Sequence, residues 1–441
     1  MSDLALLGGR PVRTKLFPAH NFIGAEEQDA VRKVLESGVL SKYLGAWHPH
    51  FYGGPEVRAF EDEWAEMCGA KHGVAVNSNT SGLLACAGAM GVGPGDEVIV
   101  PPITMSATAT APLIFNAVPV FADVDPTTFC IDAASVRDRI TPRTKAIIVV
   151  HILGNPVDMD PIMEIANEHG LMVLEDCAQV PTGTYKGRPL GTIGNLGVFS
   201  LNYHKHVHTG EGGVVVTNDD DLAERVRLIR NHAESVVAGR PGINLINMVG
   251  FNLRMTEVEA AIGRCQIKKA PDLVRRRREN VAYLEGAFDD FPGVTIPKTA
   301  PGRDSCYYFH HMFYDEDETG VPRPLLVDAL RAELAPYELR EDEGTLINYG
   351  YGGPLYMLPM FQTKTAFGDV SCPFRCPHYG GDVDYSAGIC PNAERSHATV
   401  ITHDLMKPSL AKEDLDDVAR AFNKVFARLD DLRGYRRDNE D

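Results

Sequence analysis

The sequence holds no apolar run long enough to cross a bilayer, which takes about 20 consecutive residues. Its opening, MSDLALLGGRPVR, lacks the basic-then-apolar pattern of a secretion signal. Basic residues are in deficit: 43 Lys and Arg against 60 Asp and Glu leave a net charge of −17. That balance argues against a nucleic-acid partner, because phosphate neutralisation needs clustered cations. The densest basic run, Arg275 to Arg278, sits in a polar, helix-compatible stretch and reads as a solvated helix face. Internal repeats and low-complexity tracts are missing. Tight Cys-x-x-Cys knuckles are missing too, and the nine cysteines are scattered. In a long chain without a signal they read as reduced thiols, so a cytoplasmic protein that meets no membrane is expected.

What remains is ordinary for a soluble globular protein: 44% hydrophobic and 23% charged residues in 441. Glu26 to Ser37 is polar and helix-prone. From about Pro55 to His232, short apolar runs alternate with helical patterns, the signature of an α/β fold with a largely parallel sheet. The runs are Gly73–Asn77, Glu97–Pro101, Ala146–His151, Leu171–Glu175, Gly197–Leu201 and Gly213–Thr217. A polar stretch, Ala233–Asn247, precedes a long helical pattern over Thr256–Phe288. Pro271 lies inside that pattern and is expected to kink or split it. Tyr349–Pro391, rich in Gly, Pro, Tyr and Cys, reads as a long loop. Lys412–Leu432 is helical again, followed by a charged tail.

Three blocks carry chemistry. Asn77-Ser78-Asn79-Thr80-Ser81-Gly82 is a hydroxyl-bearing turn that opens a helix; it suits an anion or a simple N-cap. Leu171–Glu175 ends in Asp176, at the strand end where open α/β sheets bind ligands. Phe199-Ser200 leads to Lys205, flanked by His204, His206 and His208, and then to Gly210-Glu211-Gly212-Gly213. The histidines alternate, which on an extended segment puts them on one side. A catalytic lysine is activated by burial and positive neighbours; an exposed loop lysine is the plainer reading. Cys372, Cys376, His378 and Cys390 share the late loop. Zinc is one reading, and a loop packed by small thiols over a site mouth is the other. Tyr349, Tyr351 and Tyr356 suit either ligand stacking or interface packing.

These blocks come with further ordered motifs: Gly53-Gly54-Pro55-Glu56-Val57, Phe60-Glu61, Trp64-Ala65, Gly95 to Pro101, Pro119 to Val124, Glu175-Asp176-Cys177-Ala178-Gln179, and Gly250 to Thr256. Together they resemble the sugar-aminotransferase branch of the fold-type-I pyridoxal-phosphate enzymes, the DegT/StrS-type family, over nearly the whole chain. The resemblance implies a large, mostly parallel sheet domain within residues 1–250. A linking helix and a smaller C-terminal α+β domain would follow within 251–441. It implies pyridoxal 5'-phosphate as cofactor and Lys205 as the Schiff-base lysine. Asp176 would pair with the pyridinium nitrogen and Gln179 would sit near the ring hydroxyl. Thr80 and Ser200 would hold the phosphate, helped by backbone around Asn79 and Ser81, with Ala178 also at the cofactor. Asn252 would reach a neighbouring subunit's phosphate site, which implies a homodimer. His204, His206 and Arg254 are candidates for lining the substrate; no metal is implied. The sequence departs from the family at Met105, where an aromatic residue usually covers the ring, and at Asn79, where glycine is usual.

The activity implied is amino transfer from glutamate or glutamine to a keto-sugar, often nucleotide-linked, or a keto-cyclitol. The opening Leu4 to Val12 is similar to branches acting on cyclitol or aminobenzoate precursors. Related dehydratases replace the lysine by histidine, which Lys205 speaks against. Elimination or cyclisation on the same cofactor, and a non-catalytic sensor, are the alternatives.

Overall fold

The apolar runs of the first half assemble into one seven-stranded sheet. Its strands are β1 (His72–Val76), β2 (Glu97–Val100), β3 (Val118–Phe121), β4 (Thr144–Val150), β5 (Met172–Asp176), β6 (Leu196–Ser200) and β7 (Gly213–Thr217). The order is β1-β7-β6-β5-β4-β2-β3, with β7 antiparallel to both neighbours and the other pairs parallel. Strands β2, β6 and β7 are buried at every position, as continuous apolar runs require in a sheet covered on both faces. This computed structural model describes residues 2–369 and 371–435; most of the charged tail, 436–441, lies outside them.

Strand β3 was not among the expected apolar runs. Pro119 interrupts it, and a strand with proline belongs at an edge, which is where β3 lies. Its Pro119 carbonyl accepts from Tyr385 Oη at 2.6 Å, so the late loop covers that edge.

Helix α1 (Ala25–Ser37) and helix α2 (Pro55–Cys68) precede the sheet, and α3 (Asn79–Ala89) follows β1. The long pattern becomes α4 (Glu257–Ala287), entered through a capping box: Glu259 N donates to Thr256 Oγ1, and Thr256 N donates to Glu259 Oε2. Pro271 does not split it; a single helix of 31 residues runs through. Proline removes one N–H from the ladder, but Pro271 is on the exposed side while Ala270, Leu273 and Val274 are buried. Packing of that apolar stripe outweighs one lost hydrogen bond. The stretch Ala233–Asn247 is also less plain than expected, since Ala233–Val236 forms a helical turn.

A second sheet combines β8 (Val294–Thr295), β9 (His310–Tyr314), β10 (Ile347–Asn348) and β11 (Val400–His403) in the order β8-β9-β11-β10, all antiparallel. Its core also takes Leu4 and Phe17 from the start of the chain and Phe422 and Phe426 from α5 (Lys412–Phe426). The larger core takes back Phe361, Phe374, Tyr379 and Tyr385 from the late loop. Phe361 and Tyr385 pack edge-on against Phe121, Phe374 packs against both, and Tyr379 Oη donates to Glu97 Oε1 at 2.9 Å. The loop is therefore packed by aromatics against the sheet edge rather than by thiols over a site mouth. Cys390 is buried there, whereas Cys372 and Cys376 are half-exposed.

Candidate active site

Several chain segments meet at the C-terminal ends of the parallel strands, around a cavity of about 320 Å³. Strand β5 delivers Asp176. Its Oδ1 accepts from Ala178 N (3.1 Å) and Asn79 Nδ2 (3.3 Å), and its Oδ2 accepts from Thr108 Oγ1 (3.3 Å). Burial raises the pKa of this carboxyl, and the three donors and the Lys205 charge oppose the rise. The neighbouring Glu175 points to the other side of the strand. Its Oε1 accepts from Ile193 N and Gly194 N, and its Oε2 from Gly191 N and His151 Nε2. His151, Glu175 and Cys177 offer ligand-type atoms within 4.8 Å of one another, but the carboxylate is already committed to these donors.

Helix α3 starts at the cavity. Ser78 caps it, accepting from Ser81 N at 3.1 Å, and Ser78 Oγ donates to Ser81 Oγ at 2.9 Å. Ser81 is thus tied to the cap, while Ser78, Asn79 and Thr80 line the cavity. The last glycine of the Gly-Glu-Gly-Gly turn makes this possible. A Cβ on Gly213 would lie 2.7 Å from the Ser78 carbonyl carbon and 2.8 Å from Asn79 N, so β7 passes the helix start only without a side chain. Ser200, at the end of β6, joins the same wall.

Lys205 follows in a turn in which its N–H donates to the Asn202 carbonyl. Burial lowers its ammonium to about 8, and only the Asp176 charge opposes the shift. Nζ donates to Tyr308 Oη at 3.3 Å. Because this segment turns, the histidines do not share one side. His204 lines the cavity, and its Nδ1 accepts from Arg340 Nη2 at 2.9 Å. His206 is buried away from it, with Nε2 donating to the Cys306 carbonyl at 2.9 Å, so its expected place on the substrate wall is corrected. Arg254 is also outside the lining: its Nε donates to Asn252 Oδ1 at 2.7 Å and its guanidinium lies 5.8 Å from the Tyr43 ring centroid. Asn252 itself is exposed, and its backbone bridges to Asn231.

Gln179 Oε1 accepts from Leu153 N at 2.5 Å, and Ala178 lies beside it in the wall. Met105 forms the lip and is 60% exposed. On the opposite side stand Tyr308 and Tyr351.

The sequence matches the DegT/DnrJ/EryC1/StrS aminotransferase family over residues 21–373, four-fifths of the chain and all of the cavity wall. The chain belongs to that family. Among curated relatives, the L-glutamine:2-deoxy-scyllo-inosose aminotransferase of Streptomyces lividus is 36% identical over 445 residues, covering 98% of this chain and 99% of the relative. The spore coat polysaccharide biosynthesis protein SpsC of Bacillus subtilis is 34% identical, covering 92% and 96%. A crystal structure of DesI in the presence of its TDP-sugar product superposes with a TM-score of 0.78 at 29% identity, covering 97% of each chain.

Within the family's fold, the expected Asn79, Thr80, Met105, Asp176, Ala178, Gln179, Ser200, His204 and Lys205 come together at one cavity. Ser81, His206, Asn252 and Arg254 do not line it. Sequence reading did not single out Tyr308, Thr108 or Asn202 as site residues. Thr104 lies in the bend before the helix Ala107–Ile114 and Thr108 in its first turn, with their hydroxyls 3.3 Å apart; two threonines so close to Met105 were the available signal. Tyr308 had none, because it arrives from 103 residues away.

Proposed function

We propose that the chain binds pyridoxal 5'-phosphate and moves an amino group from L-glutamine to a neutral keto-cyclitol. The observation that carries the reading is the cavity's polarity. The Lys205 amine and the buried Asp176 carboxylate line the same cavity, and a hydroxyl-rich helix start closes one end of it. The residues fit the cofactor. The N-terminus of α3, with Ser78 and Thr80, and the Ser200 hydroxyl suit a phosphate. Asn79 Oδ1 is buried without a partner, as expected where a polar ligand completes the wall.

When bound, the cofactor supplies an electron sink for the carbon that loses its proton. The chain does the rest. Asp176 would hold the proton on the ring nitrogen, and a positive charge there would favour the charged form of the buried carboxyl. Lys205 Nζ, neutral for part of the time because burial lowers it to about 8, would be the amine that holds the cofactor and would move protons at the reacting carbon. Gln179 and Ala178 would bound the ring, and Met105 would cover it through sulfur–aromatic contact.

Two lines support the acceptor class. Among the described residues that line the cavity, Lys205 is the only Lys or Arg, whereas a diphosphate asks for several cations. Relatives spanning nearly the whole chain are named for glutamine and 2-deoxy-scyllo-inosose. The enzyme would work in the cytoplasm, in keeping with nine free cysteines and no helix long and apolar enough to cross a membrane among the described residues. The exposed Asn252 supports a homodimer with shared sites.

The test is a panel of keto-cyclitols and nucleotide-linked keto-sugars offered to protein first converted with glutamine, following the cofactor spectrum. Reoxidation by the cyclitols alone is the expected result. Turnover of nucleotide sugars alone moves the chain to the branch typified by DesI's TDP-sugar product.

A further inference from the structure

Lys205 makes an unusual pair of contacts with one residue. Nζ donates to Tyr308 Oη at 3.3 Å and lies 4.4 Å from the centroid of the same ring. A nitrogen bonded in the ring plane would lie beyond the hydroxyl oxygen, much farther from the centroid. The two distances place it level with the hydroxyl oxygen and off the ring plane, at the rim of the π face rather than over its centre. A cation there is attracted by the negative face of the ring, and the phenol oxygen accepts from its N–H. Both contacts favour the ammonium form over the neutral amine.

Tyr308 is held firmly enough to act as a fixed support. Its carbonyl accepts from Arg277 Nη2 of α4 at 3.0 Å. Its backbone nitrogen passes so close to Gly154 that a Cβ there would lie 2.5 Å away. Its ring packs edge-on to Phe309, with centroids 4.7 Å apart. The phenol itself stays protonated, because burial raises it far above its usual range.

We infer that Tyr308 is a further catalytic residue, the perch of the reactive amine. Whenever Lys205 is not bonded to the cofactor, its ammonium rests on the Tyr308 ring and hydroxyl. There it stays beside the reacting carbon instead of swinging into the open cavity. The inference rests on Lys205 being the reactive lysine of the proposed amino transfer.

The test measures the Lys205 amine directly. The full-length chain, freed of cofactor, is labelled with trace acetic anhydride across roughly pH 6 to 10, and the Lys205 peptide is quantified by mass spectrometry. In Tyr308→Leu the titration midpoint falls by about one pH unit, because the groups that favour the cation are gone. In Tyr308→Phe, which keeps the face and loses the hydroxyl, it falls by less. A merely structural role predicts the reverse: a loosened fold uncovers Lys205 and moves the midpoint up toward about 10.4. A midpoint in the Leu variant that stays in place or rises overturns the perch. In the loaded protein, the glutamine half-reaction slows by about tenfold or more in both variants, with the KM for glutamine within about twofold. Undiminished rates overturn the catalytic part. If the wild type converts no amino donor at all, the proposed function fails while the midpoint shift still decides the contact.

Discussion

Lys205 and Asp176 are each pushed toward neutrality by burial, the lysine downward to about 8 and the aspartic acid upward. A cofactor with a cationic ring nitrogen reverses the pressure on Asp176 and consumes the neutral amine of Lys205. Capture of pyridoxal phosphate by the cofactor-free chain should therefore follow the neutral fraction of Lys205. Its rate should rise roughly tenfold between pH 7 and 9, with a midpoint near 8. Stopped-flow absorbance checks this, and a rate flat with pH would remove Lys205 as the nucleophile. Lys205→Ala should abolish the pH-dependent capture and the amino transfer with the fold intact by circular dichroism. Asp176→Asn tests the other pole. The amide holds no ring proton by charge, so the glutamine half-reaction should slow on the order of a hundredfold or more. Cofactor retention should change far less, because in the proposed arrangement Thr80 and Ser200 would hold the opposite end. A near-normal half-reaction would mean that Asp176 is not the ring-nitrogen partner.

At the scale of elements, strand β5 explains why these residues stay in place. Asp176 faces the cavity, and its neighbour Glu175 pins the 191–194 turn and His151 from the other face. Glu175→Gln keeps the shape but sets an amide N–H₂ against at least one backbone N–H. One unsatisfied buried donor costs about 1–3 kcal/mol. A lower urea midpoint with an unchanged slope is the expected readout; an unchanged midpoint would show that the turn holds by itself. Elements governed by local pattern were legible in the sequence: the six apolar strands, the capped start of α4, and the hydroxyl, aspartate and lysine blocks at strand ends. Elements governed by contact were not. Strand β3 hid behind Pro119 because edge strands tolerate what central ones do not. Pro271 read as a break because propensity is local, whereas the buried stripe beside it belongs to the assembled fold. Tyr308 and Arg340 reach the Lys205 turn from the second sheet's side of the molecule. His206, beside the reactive lysine in sequence, turns to Cys306 because the segment bends rather than extends.

At the scale of the whole molecule, the exposed Asn252 raises the question of what it serves. Among the described residues, its side chain accepts from Arg254 and its backbone pairs with Asn231. The segment just before it exposes Leu245, Ile246 and Val249 at 58–66%, apolar area of the kind a partner surface covers. A two-fold pair would present the same contact twice, so each subunit would complete its neighbour's phosphate end. The plainer reading is that Asn252 merely turns the chain into α4. Mixing separates the two. Lys205→Ala subunits are combined with Asn252→Ala subunits, each poorly active alone, under conditions where subunits exchange. In a shared-site dimer, half of the sites in each mixed pair hold Lys205 from one chain and Asn252 from the other, both intact. Activity should then return to about a quarter of wild type at equal mixing, because half of the dimers are mixed and each has one whole site. Exchange without recovery, or a fully active wild-type monomer in sedimentation, would confine every site to a single chain.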